Sequence, residues 1–280
     1  MAVSKTQIDR LGDRLKAASH TDDDLRLLDD YRRSFGGAYD AVIQKIRECG
    51  GTPTGRLAKS TLSIVQKLNR ESMRLTQMQD IAGCRVVVDT VVEQNQFVDT
   101  LKTAFSKTSV TDRRDKPSFG YRAVHVIVEM LGKPVEIQVR TSLQHQWAEL
   151  SEKYSDVIDP AIKYGGGPSW SREFLTELSE SVAGHDELEA IAFELAGKTE
   201  KLMELYDKAK ERITSLLVQP LPDRRAQELR NQLKDFLIER TRFEQADEER
   251  RAKMNRQRKD VTELLRMALL TVQNLKAKQA

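Results

Sequence analysis

Residues 116–147 read KPSFGYRAVHVIVEMLGKPVEIQVRTSLQHQW, and the fold turns on them. Two runs with period-two alternation flank a Gly132-Lys133-Pro134 turn, the pattern of half-buried strands. In the second run Val135, Ile137 and Val139 face one way, and Glu136, Gln138 and Arg140 face the other. In the first, Val124, Val126 and Val128 share a face, and Tyr121, Ala123, His125 and Ile127 share the opposite one. Paired as a hairpin, the runs make one apolar face. The other face carries an aromatic ring, an imidazole, a carboxylate, an amide and a guanidinium. A merely solvated face would be more varied and richer in Thr and Lys. This mixture suits a charged, ring-bearing ligand.

Working outward, Thr141 caps a helix containing His145, Trp147, Leu150 and Tyr154. Upstream, 110–115 is a short strand ending in Arg113-Arg114-Asp115, and Val92 to Phe105 is a helix with Phe97, Val98, Leu101 and Phe105 on its apolar side. The run DIAGCRVVVD (80–89) is a buried strand. A bend or bulge at Ala82-Gly83 is expected to bring Asp80 and Arg85 onto one side. In residues 55–72 a helix capped by Ser60 or Thr61 puts Ser63, Lys67 and Arg70 on one face. Such a face holds phosphate oxygens beside a helix N-terminus, or is simply solvated; spacing alone does not choose. The order strand, helix, three strands, helix predicts an α/β (α+β) domain around a mixed sheet.

Residues 1–50 read as helices, with a start at Thr21-Asp22-Asp23-Asp24, and 50–53 as a loop. Residues 51–168 form the core. Residues 169–280 form a long helical C-terminal extension, with a break expected near Gly184 and punctuation at Pro220 and Pro222. In it Ala226, Leu229, Leu233, Phe236, Val261, Leu264, Ala268, Val272 and Leu275 make a heptad-like stripe. The charged stretch 244–259 is either an exposed helix or the turn of a hairpin.

Composition narrows the function classes. The chain of 280 residues has 46 Lys and Arg against 43 Asp and Glu, a net charge of +3, which does not argue for broad nucleic-acid binding and leaves only local basic clusters open to it. Cys49 and Cys84 lack metal spacing and fit a reducing compartment. No apolar signal core opens the chain and no run of about 18 apolar residues occurs, so the expectation is a cytoplasmic protein without membrane contact. His185-Asp186 reads as a helix-start dipeptide rather than a metal site.

Four pieces, Lys59-Ser60…Ser63-Ile64…Lys67…Arg70, Asp80-Ile81-Ala82-Gly83-x-Arg85-Val86-Val87, Gly120-Tyr121-Arg122-x-x-His125 and Glu136-Ile137-Gln138-x-Arg140-Thr141, occur in an order and spacing that resemble the synthetase domain of the RelA/SpoT alarmone synthetases. The match covers about residues 55–155. With no sign of the family's hydrolase domain, the chain resembles the small single-function synthetases. The resemblance implies a nucleotidyltransferase-like fold and transfer of the β,γ-pyrophosphate of ATP to the 3′-hydroxyl of GDP or GTP, with release of AMP. It implies Mg²⁺ held by Asp80 and Glu136, with Glu136 also drawing the proton from the attacking hydroxyl. It assigns Arg56, Lys59, Ser63, Lys67, Arg70 and Arg85 to ATP, with Arg85 and Arg56 stacking on adenine. It assigns Lys116, Tyr121, Arg122, His125, Gln138 and His145 to the acceptor, with Tyr121 stacking on the base. On residues alone, Arg122, His125 and Arg140 are equally read as internal hydrogen-bonding groups.

The departures from the family pattern fall mostly on the acceptor side: Phe119 adds a residue before Gly120, and Ala123 stands where the family has serine. Arg56 lies three residues before Lys59, not two. These keep two alternatives open. One is a toxic small synthetase modifying an adenine nucleotide or the 3′ end of tRNA, restrained by an antitoxin. The other is an inactive nucleotide sensor. Family habit also suggests a homo-oligomer through the C-terminal helices.

Overall fold

The computed structural model describes residues 4–279, with side chains throughout except at Arg56, Lys278 and Gln279. It divides into two units: one runs to Ser179 and takes in the chain from Val272 onward, and the other comprises Glu180–Thr271.

The first unit is built on a five-stranded mixed sheet of β1 (Pro53–Arg56), β2 (Ala82–Val88), β3 (Thr108–Asp112), β4 (Val124–Met130) and β5 (Lys133–Thr141). The strand order is β1-β2-β5-β4-β3. β5 is central, parallel to β2 and antiparallel to β4. The alternation predicted for β4 and β5 holds. Val124, Val126, Val128, Val135, Ile137 and Val139 are buried in one apolar cluster, and the alternate residues face the other way. The hairpin turn differs from expectation. It is Leu131-Gly132, with φ of 50° and 72°, while Lys133 and Pro134 belong to β5. Two consecutive positive φ values give the turn whose twist matches a hairpin.

The apolar face packs against α1 (Lys5–Lys16), α2 (Asp22–Arg33), α3 (Gly36–Glu48), α4 (Thr61–Arg70) and α5 (Val91–Ala104), which contribute Leu11, Leu28, Val42, Ile64 and Leu101 to the same cluster. Thr21 and Ser60 cap α2 and α4 as their sequence suggests. β2 is regular, so no bulge occurs at Ala82-Gly83; Asp80 lies in the turn before the strand. β3 begins at Thr108 and stops at Asp112, short of the two arginines.

β1 is absent from the expectation, which made 50–53 a loop and opened the sheet at residue 80. Its Pro and Gly suggest a turn, yet it is an edge strand, where such residues are tolerated. Glycine is required at 55: a Cβ there would lie 2.6 Å from Cys84 Cα and 2.7 Å from the Gly83 carbonyl oxygen.

α6 (Ser142–Val157) follows β5, capped by Thr141 as expected. α7 (Ser169–Leu217) and α8 (Asp223–Gln279) are single helices. The expected break near Gly184 does not occur. A helix-interior glycine costs only about 1 kcal/mol against alanine, which a long helix of good formers absorbs. His185 and Asp186 therefore lie inside α7, buried, and do not start a helix. In the second unit the parts of α7 and α8 it contains pair side by side. Tyr206 donates to Glu239 at 3.1 Å and Arg240 meets Asp207 at 2.6 Å. The turn falls at 218–222, so the charged 244–259 stretch is helix. Leu265, not Leu264, is the buried residue of the stripe, and Leu275 is exposed. Among the described residues no helix is long and apolar enough to cross a membrane.

Two substitutions test this account. Gly55→Val should lower stability by about 1–3 kcal/mol through the clash with β2. Gly184→Ala, with nothing within 4 Å of the added carbon, should raise it by about 0.4–1 kcal/mol. Urea unfolding midpoints measure both.

Candidate active site

The second face of the sheet gathers the polar side chains. Register puts Gln138 between Arg85 on β2 and His125 on β4, and Glu136 between Gly83 and Ile127. With no side chain at Gly83, the flank of Glu136 stays open.

Five side chains close into a ring. The His125 imidazole lies 2.9 Å from Glu136 through Nδ1 and 2.9 Å from the Tyr121 hydroxyl through Nε2. Nδ1–H donates to the carboxylate, while the direction of the Nε2 contact with the phenol depends on the tautomer. Arg140 Nη2 donates to Tyr121 Oη at 2.9 Å and to Gln138 Oε1 at 2.6 Å. Gln138 Nε2 donates to the second Glu136 oxygen at 2.7 Å. Tyr121 is therefore fixed at its hydroxyl and is partly exposed. Burial pushes its pKa up, although the Arg140 charge opposes this.

Burial alone would also raise the Glu136 pKa. The His125 hydrogen bond and charge outweigh it and hold the carboxyl below its ordinary range. Arg140 is buried, and its Nε and Nη1 have no partner among the described residues; the same is true of His145 Nδ1. The His145 pKa is lowered first by burial, with the Arg140 and Arg85 charges adding to the shift, so these three side chains are electrostatic neighbours.

Asp80 is the second carboxylate. The Lys59 amide donates to the Ile81 carbonyl at 2.7 Å, which draws the lysine beside the turn. Lys59 Nζ lies 2.5 Å from one Asp80 oxygen, and Lys67 Nζ, from α4, lies 2.9 Å from the other. Burial opposes ionisation here too, but the two ammonium groups keep the Asp80 pKa below its ordinary value. The Asp80 charge in turn acts on Glu136, so the carboxylates sense each other.

The remaining expected residues are placed as follows. Ser63 is half-buried on α4 and accepts from Ser60 Oγ at 2.8 Å. The Arg70 guanidinium lies 4.3 Å from the Tyr164 ring centroid and 3.0 Å from Glu71. Lys116 is exposed in the loop before Tyr121. Arg56 lies on β1, and its side chain is outside the described residues. Arg122 points away from the ring, donating to Ser179 Oγ at 3.1 Å and to the Arg114 carbonyl. Arg113 and Arg114 are held internally by Ser118 and Asp112. Cys84 is on the apolar face, its thiol pushed up to about 12 by burial and the nearby Glu136 charge, and so is unreactive. Sequence reasoning missed Tyr164 and Ser179, which lie in a short 3₁₀ helix and in α7, beyond the motifs, and carry no local signature.

These features define the class: an α/β domain whose polar sheet face holds two charge-coupled carboxylates among lysines, arginines and a fixed aromatic ring. Residues 55–155 match the family described as a region found in RelA/SpoT proteins, and the chain carries that region. An uncharacterized protein of Mycobacterium tuberculosis is 37% identical over 115 residues, covering 40% of this chain and 42% of the relative. A GTP pyrophosphokinase of Streptomyces antibioticus is 27% identical over 175 residues, covering 54% of this chain and 21% of the relative. The chain thus spans under half the length of these curated relatives. Among solved structures, the small alarmone synthetase 1 from Bacillus subtilis aligns at 25% identity with a TM-score of 0.47, covering 65% of this chain and all of that one.

Because Asp80 and Glu136 titrate below the ordinary carboxylate range when folded, the stability from their pairs is fully present above that range, near about 4. It is lost as pH falls through the lower folded values. Replacing both Lys59 and Lys67 by Met should leave burial unopposed and carry the Asp80 titration above the ordinary range. Carboxyl ¹³C shifts followed against pH would register that move, and an unmoved titration would refute the pairing.

Proposed function

We propose that the chain is an ATP-dependent pyrophosphotransferase acting on the 3′-hydroxyl of GDP or GTP. The observation that carries this reading is the pair of ionised, charge-coupled carboxylates within 55–155, one braced by two lysines and the other held in the five-residue ring. The name of the Streptomyces relative supports the same reaction class.

In this mechanism the acceptor 3′-oxygen attacks the β-phosphorus of ATP. The bond from that phosphorus to the oxygen bridging it to the α-phosphate breaks, and AMP leaves. Glu136 takes the hydroxyl proton as attack proceeds; its depressed pKa keeps it a carboxylate at neutral pH. His125 and Gln138 orient both carboxylate oxygens. Lys59, Lys67 and Arg70 offer cations to the donor phosphates, with Ser63 on the same helix face. Arg85 supplies a guanidinium plane for adenine. Tyr121, fixed at its hydroxyl, offers a ring to the acceptor base, while Lys116 and His145 serve the acceptor side.

Asp80 and Glu136 are hard oxygen donors of the kind that share Mg²⁺ with substrate phosphates, and the residues present fit that ion. When bound, it would neutralise charge on the transferring group. Asp80 would exchange its lysine contacts for that role, freeing both ammonium groups for phosphate.

The test is acceptor competition with terminally labelled ATP and Mg²⁺ against GDP, GTP, ATP and deacylated tRNA. Label should pass to a guanine nucleotide. Glu136→Gln should cut turnover by at least about 10²-fold while nucleotide binding persists. Transfer chiefly to tRNA or ATP would replace the assigned acceptor. Binding without transfer to any acceptor would overturn the enzymatic reading in favour of a sensor.

A further inference from the structure

Ser179 lies beyond the matched region, two percent exposed on α7, and its hydroxyl does something a helical serine ordinarily does not. A helical Ser or Thr by default returns its hydroxyl to the carbonyl four residues back. Thr199 and Thr214 on the same helix do so, bonding Leu195 and Lys210. Ser179 instead donates to the Gly120 carbonyl at 2.6 Å and accepts from Arg122 Nε at 3.1 Å. The carbonyl it would otherwise take, that of Leu175, receives the Trp147 indole N–H at 2.8 Å.

Both partners of Ser179 flank Tyr121. Gly120 has φ of 86°, and a Cβ there would lie 2.6 Å from the Trp147 ring and 3.2 Å from Ser179 Cβ. The backbone is thus pressed between indole and serine, where only glycine fits. On the other side, Arg122 reaches from Ser179 to the Arg114 carbonyl, tying the start of the 113–123 loop to its end. The Tyr121 amide closes the loop on Ser118 at 3.0 Å.

We infer that Ser179 is a positioning residue for the acceptor side. Through Gly120 and Arg122 it sets the pose of the Tyr121 ring, so the first turns of α7 belong to the acceptor site although they lie outside the matched region. The inference rests on the reading of Tyr121 as acceptor-facing. Among the described residues the side-chain bonds of Lys59, Lys67 and Asp80 run to one another and not to this clamp, so the donor side is separate from it.

The test is steady-state kinetics of the full chain with the donor and the guanine acceptor varied separately, for wild type, Ser179→Ala and Ser179→Thr. Amide hydrogen exchange is read on the same proteins. Ser179→Ala, which removes both hydrogen bonds of the hydroxyl, should raise the acceptor KM about five- to tenfold, with the donor KM within twofold. Exchange at residues 118–122 should quicken while exchange in β5 stays slow. Ser179→Thr, which keeps the hydroxyl, should restore most of the acceptor KM. An unchanged acceptor KM in Ser179→Ala, or equal losses for donor and acceptor with faster exchange throughout the sheet, would overturn the inference and leave the enzymatic reading standing. A wild-type protein that transfers nothing would overturn both.

Discussion

The period-two alternation of β5 is the constraint on which the rest of the molecule depends. β5 is bonded on both sides, by β2 and β4, so neither neighbour can shift without breaking a ladder. Its Val135, Ile137 and Val139 lie in the apolar cluster. A slip of one residue would turn those three onto the polar face and send Glu136, Gln138 and Arg140 into the core. Burying a carboxylate and a guanidinium among valines costs far more than any gain a shifted ladder could return. The core therefore specifies the site: the force that hides the valines also aims the catalytic candidates.

On that aimed face, charge is balanced locally. Glu136 is largely covered by the sheet, and a lone carboxylate there would neutralise itself by holding a proton. His125 and Gln138 supply donors to each oxygen, and Asp80 receives two ammonium groups. Both acids stay ionised for the same reason, opposite charge and hydrogen bonds overcoming desolvation. The two neighbourhoods differ in consequence. Asp80 is paired with two ammonium groups on flexible lysine stems. Glu136 is held by groups that are themselves held, through Tyr121 and Arg140, which keeps its orientation fixed as charge moves nearby.

Alternation and capping were legible in the residues because they are local. The faces of β4 and β5, the Thr21, Ser60 and Thr141 caps, and the shared face of Ser63, Lys67 and Arg70 all follow from spacings of two to seven residues. What was illegible depends on contacts far apart in the chain. β1 was hidden because Pro53 and Gly55 resemble a turn, and only pairing with β2 makes them a strand. The joining of Asp80 to the site needed no bulge in β2; Lys59 and Lys67, from elsewhere in the chain, come to it. Gly184 misled in the opposite direction, since a local breaker carries little weight inside a helix as long as α7. Leu264 and Leu265 show the limit of periodicity: adjacent leucines fit the stripe almost equally, and packing selects one.

The limits of the matched region and of the physical unit do not coincide. The match ends at residue 155, whereas the compact unit continues to Ser179. The difference has a physical cause. Trp147 is buried, and its indole N–H has to be satisfied. Its acceptor is the Leu175 carbonyl, on α7. The Gly120 carbonyl, facing the same side, likewise finds its donor on that helix. A core truncated at 155 would lose both hydrogen bonds together with the cover α7 gives them, leaving these groups and the Trp147 ring to water. The loop carrying Tyr121 would lose its seat as well. The candidate catalytic and binding residues are grouped in the matched segment, but the helix that bonds the loop of one of them is supplied by the sequence that follows.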